Sequence, residues 1–95
     1  LTPEEHLSVV KQCNLLRLIK EPSEIAHMKQ AATVSCHGMR QVMRYTVDQV
    51  RANKPLYEFQ LGNHFRYVCG QHEGCHFQAY TPICAHGRNT AVYVA

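Results

Sequence analysis

Residues 24–51 read EIAHMKQAATVSCHGMRQVMRYTVDQVR, and this stretch decides the fold. Apolar or small side chains recur along it in steps of three and four, the spacing that places them on one face of an α-helix. They are Ile25, Met28, Ala32, Cys36, Met39, Val42, Met43, Val47 and Val50. Glu-Pro-Ser at 21–23 precedes the pattern, and Ser23 is suited to the N-cap position. The spacing therefore predicts one long helix over about 24–51.

A second helical pattern follows a proline-bearing loop at 52–55. Its apolar positions are Leu56, Tyr57, Leu61, Phe65 and Val68, so we expect a helix over about 56–69. Gly70 is suited to the left-handed conformation that ends many helices. Gly62 lies inside the pattern and costs about 1 kcal/mol relative to alanine. We expect this glycine to allow close approach of the long helix.

The two ends of the chain have other patterns. Thr2, Pro3 and the glutamates after them are helix-start signals, and we interpret residues 1–22 as an N-terminal connecting segment. Near the other end, HFQAYTPICA at 76–85 mixes aromatic, β-branched and small residues, HGRN at 86–89 is a turn signal, and TAVYVA at 90–95 is β-prone. The expected fold class is α+β, with two helices packed on a short antiparallel β-hairpin centred near Gly87.

Composition excludes several classes of protein. The ten basic side chains are scattered and the net charge is only +3, so no stripe indicates nucleic acid as a partner. A helix-turn-helix over 31–47 would need a turn at Gly38, but the apolar periodicity runs through that residue. No run of about 18 apolar residues predicts a membrane span. Five cysteines, an odd number without dense spacing, favour reduced thiols and a cytoplasmic protein.

The octet CGQHEGCH at 69–76 raises the question of a zinc site. It places Cys69, His72, Cys75 and His76 within eight positions. Structural zinc sites usually take two ligands from each of two separated segments, whereas one ion here would need adjacent residues to point inward together. A turn accounts for the octet with less strain: Cys69 closes the apolar face of the second helix, and 71–74 connect it to the next segment. We therefore predict no metal ligand here.

Three stretches resemble the Xaa-Pro peptidases, prolidase in particular, in order and spacing. They are LRLIKEPSEIAHMKQAATVSCHGM at 16–39, KPLYEFQL at 54–61 and, the most specific, AYTPICAHGRNTAV at 79–92. The family has the pita-bread fold, two pseudo-equivalent halves of helices over antiparallel strands with two divalent ions, commonly manganese, between them. The resemblance implies that residues 23–95 are the N-terminal half of such a domain.

The resemblance also implies what this chain lacks. The family binds its metals through two aspartates ten residues apart, a histidine and two glutamates, which activate water to attack the peptide bond before proline. This chain has one aspartate, Asp48, and in the relatives all five ligands follow the matched segment. We expect a fragment that is inactive alone, with no metal ligands or catalytic residues of its own. Dipeptidase and longer-peptide aminopeptidase activities both stay open for the full-length parent, as does the metal.

The resemblance implies two candidate site residues, Tyr80 and Ile83. Tyr80 and Ile83 match positions beside the pocket for the proline end of a dipeptide or peptide, and the alternative is that they are strand core. His86 and Arg88 could hold a carboxylate, but a charged turn is more often solvated. No nucleophile and base pair emerges from the remaining histidines and cysteines.

A second function and an oligomeric state complete the expectations. A pita-bread pseudo-enzyme acting as a protein-binding module is the alternative function, indicated by Val94 at the place of a family histidine. Half of such a fold would leave a strand edge and an apolar sheet face uncovered. We therefore expect a homodimer, in which residues 90–95 could pair or swap across the two-fold axis.

Overall fold

The structure is a computed structural model that describes residues 1–91 of the 95. Three α-helices follow one another: α1, Pro3–Leu18; α2, Pro22–Arg51; and α3, Glu58–Gly70. A short 3-10 helix covers Gly87–Ala91. The chain divides into two compact units, Leu1–Gln30 and Ala31–Ala95. The division falls inside α2, and the features described below belong to the second unit unless stated otherwise.

Helix α1 begins at a capping box. The Thr2 hydroxyl accepts a hydrogen bond from the Glu5 N–H at 3.2 Å, and the Glu5 carboxylate accepts one from the Thr2 N–H at 2.8 Å. Pro3 occupies the first helical turn, where a missing N–H costs nothing. The predicted helix start at Thr2 is correct, and the helix runs on through the apolar run after Cys13 to Leu18. All residues of α1 are exposed.

Helix α2 confirms the long helix, with a start slightly earlier than expected. It begins at Pro22, and the Glu24 carboxylate accepts a hydrogen bond from the Glu21 N–H at 2.7 Å. Ser23 thus lies in the first turn and is not the N-cap. The helix ends at Arg51, and Asn53, at φ 52°, turns the chain in the predicted loop.

Helices α2 and α3 pack closely at Gly38. A Cβ added to Gly38 would lie 2.7 Å from Cys69 Sγ and 2.9 Å from Phe65 Cε2, so this glycine lets the two helices approach. Val34 and Cys69 are the buried hydrophobic residues of the part of the chain that the structure describes. The sequence assigned the close approach to Gly62, which was wrong. A Cβ there would instead meet Pro82 and Cys84 at 3.9 Å.

The end of α3 also differs from expectation. Gly70 is helical, and Gln71, which caps the helix at φ −75°, donates its N–H to the Val68 carbonyl at 3.3 Å. Within residues 1–91, the glycines with positive φ are Gly74 and Gly87. The left-handed turn therefore falls four residues later than predicted, because right-handed helical geometry continues through Gly70 into the turn at 71–74.

Residues 75–89, here called the strap, follow α3 back toward its start. Cys75 lies close enough to Cys69 to influence its ionisation, Pro82 and Cys84 lie at Gly62, and residues 86–89 reach the first turn of α3. The strap is thus antiparallel to the helix. It is without regular secondary structure until the 3-10 helix begins at Gly87.

The predicted hairpin and the α+β fold class are wrong for residues 1–91, which contain three helices and no β-strand. Half of a pita-bread fold, with helices on strands, is accordingly not the architecture. Two physical reasons are visible. Pro82 has no N–H to offer a strand partner, and the N–H of His86, which a hairpin would pair across strands, is bonded to Glu58. Of the expected second strand, Thr90 and Ala91 are in the 3-10 helix, and residues 92–95 lie outside the described residues.

Candidate functional site: an apolar groove beneath the strap

An apolar groove of about 570 Å³ lies between α2, α3 and the strap. Apolar side chains line its walls, among them Met39, Val42, Leu61, Phe65, Tyr80 and Ile83. Ser35 and Gln78 add polar atoms. A concave, mainly apolar surface of this volume with a few polar groups is typical of sites for small ligands or apolar side chains.

Tyr80 and Ile83, the candidate pocket-wall residues, both line this groove from the strap. They are 83% and 78% exposed, so they belong neither to a strand nor to the core. Both are apolar side chains at the wall of the groove. Their role in holding a proline ring stays a prediction.

The strap is fastened to α3 by one carboxylate. Glu58 Oε1 accepts a hydrogen bond from the His86 N–H at 2.8 Å and another from Asn89 Nδ2 at 2.7 Å. The hydrogen bond from Asn89, then that from the His86 main chain, lower the pKa of Glu58 below its ordinary value of 4.5, because both favour the ionised form. We call this arrangement the Glu58 clamp.

The Glu58 clamp was not predicted from the sequence. Glu58 entered the prediction only as part of the stretch at 54–61, and a carboxylate near His86 and Arg88 was expected only as an external ligand. The structure brings the chain's own carboxylate to the main chain of His86 and to Asn89. A first-turn glutamate and an asparagine after a glycine turn were the available signals, but 31 residues separate Glu58 from Asn89 and no local pattern pairs them.

Three thiols line the groove: Cys69, Cys75 and Cys84. Burial, and then the neighbouring Cys75, raise the pKa of the Cys69 thiol above its ordinary value. The reactive form of cysteine is the thiolate, so Cys69 is a poor nucleophile at neutral pH. Its Sγ faces the Val34 carbonyl oxygen at 3.9 Å, which is consistent with a structural role.

The octet at 69–76 forms the predicted turn. The His72 N–H donates to the Cys69 carbonyl at 3.1 Å, and the Cys75 N–H donates to the His72 carbonyl at 3.1 Å. The His72 ring packs edge-on against His37 of α2, with centroids 5.6 Å apart. Within residues 1–91, no three histidine, cysteine or acidic side chains gather as a metal site would require.

A second ring contact joins α2 directly to α3. Tyr45 of α2 stacks on His64 of α3 with centroids 4.6 Å apart and an interplanar angle of 13°. His37 and His64 therefore both lie in ring contacts with neighbouring segments.

Comparison with known proteins finds no matching protein family, no matching curated protein and no matching solved structure. Among the described residues, no helix has the length and apolar character needed to cross a membrane.

Proposed function

We propose that this chain belongs to a protein related to the Xaa-Pro metallopeptidases, in which it supplies scaffold and part of the wall of a proline pocket. The single observation that carries the proposal is the groove, because it collects Tyr80 and Ile83, the two residues that the resemblance assigns to that pocket. The reaction class is hydrolysis of the peptide bond before proline. The substrate is a proline-containing dipeptide or a longer peptide.

A second observation supports the same proposal. Glu58 lies in the resembling stretch 54–61, while His86 and Asn89 lie in the resembling stretch 79–92. Two stretches that are separated in sequence are thus joined by hydrogen bonds in the fold. The two stretches that resemble the family are therefore in contact with each other in this fold.

The residues of this chain do not fit a pair of divalent ions. The family chemistry needs two aspartates, and Asp48 is the single aspartate of the sequence. It lies in α2, and the Glu58 carboxylate is engaged by His86 and Asn89 of the strap. We therefore assign this chain a role in substrate contact, and assign the two metal ions, manganese in the common case, to the full-length parent.

Two measurements test the proposal. The 95-residue chain, supplied with manganese and Gly-Pro, should release no proline above a protein-free blank. Reading the transcript beyond the codon for Ala95 should reveal two aspartates ten residues apart, followed by the histidine and glutamates of the ligand set. A transcript that continues as a folded domain without the aspartate pair would rule out the peptidase and favour the alternative function.

That alternative is a pseudo-enzyme that binds a protein partner. The observation favouring it is the number of large apolar side chains left exposed along α2 and the strap, among them Met39, Met43, Val47, Phe77 and Tyr80. Contiguous exposed apolar surface marks interaction sites.

The same exposure supports the homodimer, which we retain as a proposal. The described residues contain no strand, so they present no unpaired strand edge. They do present uncovered apolar surface, because Met43 and Val50 of α2 are 60% and 64% exposed, and burial of such side chains drives association.

A further inference from the structure

The main chain of the strap makes few hydrogen bonds that would fix its position. None of the hydrogen bonds described within residues 1–91 involves residues 76–85. The middle of the strap is therefore held by side-chain contacts alone, mainly Pro82 and Cys84 against the face of α3 at Gly62.

The strap is also much longer than the path that it covers. From Glu58 to Gly70, helix α3 rises about 18 Å. Residues 75–86 return along the same helix, and an extended chain of that length spans roughly 36–40 Å. Because the strap is longer than this path, it could adopt many positions if the end near His86 were released. The hydrogen bonds from His86 and Asn89 to Glu58 restrict these positions.

We propose that the Glu58 carboxylate is a clamp that fixes the strap along α3, so that release of this one side chain lets the strap and its groove-lining residues move. The clamp engages the strap at two points, the His86 N–H and the Asn89 amide, and both are charge-assisted hydrogen bonds, which are stronger than neutral ones. The residues that form the movable wall, Tyr80 and Ile83, precede the clamped turn by only a few positions.

The clamp acts on the position of the strap and does not depend on what the groove binds. Failure of the clamp proposal is therefore distinguishable from failure of the peptidase proposal, since the clamp can be tested without substrate, metal or the rest of a parent protein.

The cysteines provide a direct readout of strap position. Cys84 is half-buried, and it lies beside Gly62 on the clamped side. Cys13 and Cys36 are exposed, so they report the reactivity of free thiols in the same molecule. Cys69 is buried at the contact of α2 and α3, so it reports whether the helix pair itself has come apart.

The experiment measures the rate of N-ethylmaleimide labelling at each cysteine by peptide mass spectrometry. In Glu58→Ala and in Asn89→Ala, labelling of Cys84 should be at least fivefold faster than in the wild-type chain, with Cys13, Cys36 and Cys69 unchanged. Glu4→Ala is the matched control, because it removes a first-turn glutamate from α1 and should leave Cys84 unchanged.

Amide exchange supplies the second measurement. The His86 N–H should exchange at least tenfold faster in Glu58→Ala, with protection along α2 and α3 retained. The double variant Glu58→Ala/Asn89→Ala should label Cys84 no faster than Glu58→Ala alone, because both changes break one clamp. Unchanged Cys84 labelling, or equal acceleration at Cys69 that signals general loosening, would overturn the proposal.

Discussion

Gly38 of α2 and Cys69 of α3 approach so closely that a Cβ on the glycine would stand 2.7 Å from the sulfur. Real Cβ atoms do not approach other heavy atoms to this distance, so any larger residue at 38 must push the two helices apart or displace Cys69 and Phe65 from the contact. Cys69 is buried and Phe65 is half-buried, so the displacement is costly.

Replacing Gly38 by alanine should therefore destabilise the chain. Overpacking of this kind costs about 1–3 kcal/mol, which exceeds the gain of up to about 1 kcal/mol from alanine's higher helix propensity. The measurement is urea unfolding followed by circular dichroism. Gly70→Ala is the control, because Gly70 is also helical but a Cβ added to it would meet nothing within 4 Å; it should be neutral or stabilising. Equal effects at the two glycines would contradict the packing argument.

The Glu58 clamp should weaken in acid. The pKa of the Glu58 carboxyl is lowered in the folded chain, so folding favours its ionised form. The contribution of this carboxylate to stability is therefore complete above the ordinary pKa of 4.5. That contribution is lost as the pH falls through the lower folded pKa. The groups that face the carboxylate are His86 and, lining the same small cavity, Arg66 and Cys84. The His86 amide resonance, followed by NMR across the acid range, should report the release, and Glu58→Gln should abolish the transition. A transition that persists in this variant would assign the titration to another group.

In a full-length peptidase, Tyr80→Ala should weaken binding of proline-containing substrates. If Tyr80 forms the proposed proline pocket, loss of this one large apolar contact corresponds to on the order of a tenfold rise in KM for Gly-Pro. Ile83→Ala should act in the same direction by a smaller factor. Tyr67→Ala is the control, since Tyr67 is an exposed aromatic residue of α3 that does not line the groove. Equal KM values for the Tyr80 and Tyr67 variants would place the proline pocket elsewhere.

The chain should migrate and scatter light as a dimer, with twice the monomer mass of 10.9 kDa, at micromolar concentration. Met43→Glu should shift it to monomer, because it places a charge in the exposed apolar face of α2. Asn63→Glu adds the same charge at an exposed polar site of α3 and should leave the dimer intact. A cooperatively folded wild-type monomer would remove the case for self-association.

The helices were predictable because their signals are local. The steps of three and four from Ile25 to Val50 predict α2 almost to its ends, and the Thr2 and Pro3 signals place the start of α1. Each signal involves residues within one or two turns of each other, where backbone geometry alone determines which side chains are neighbours.

The strap was not predictable for the converse reason. Aromatic and β-branched residues at 76–85 favour a strand, but a strand needs a partner for its main chain. The decisive contact is between Glu58 and a turn about thirty residues later, and it diverts the donor that a hairpin would use. Gly38 is a second example of a contact that local patterns do not reveal. The periodicity indicates that Gly38 lies in a helix, but tertiary packing determines which glycine contacts the neighbouring helix.

Helix α1 should behave differently from the rest of the molecule on heating. Its turns are closed by their own hydrogen bonds and by the box at Thr2 and Glu5, while each of its side chains stays in water. A helix of 16 residues held in this way follows helix–coil statistics and frays progressively with temperature. The ellipticity at 222 nm should consequently fall along a steady slope well below the cooperative midpoint, and a peptide of residues 1–20 should reproduce that slope alone.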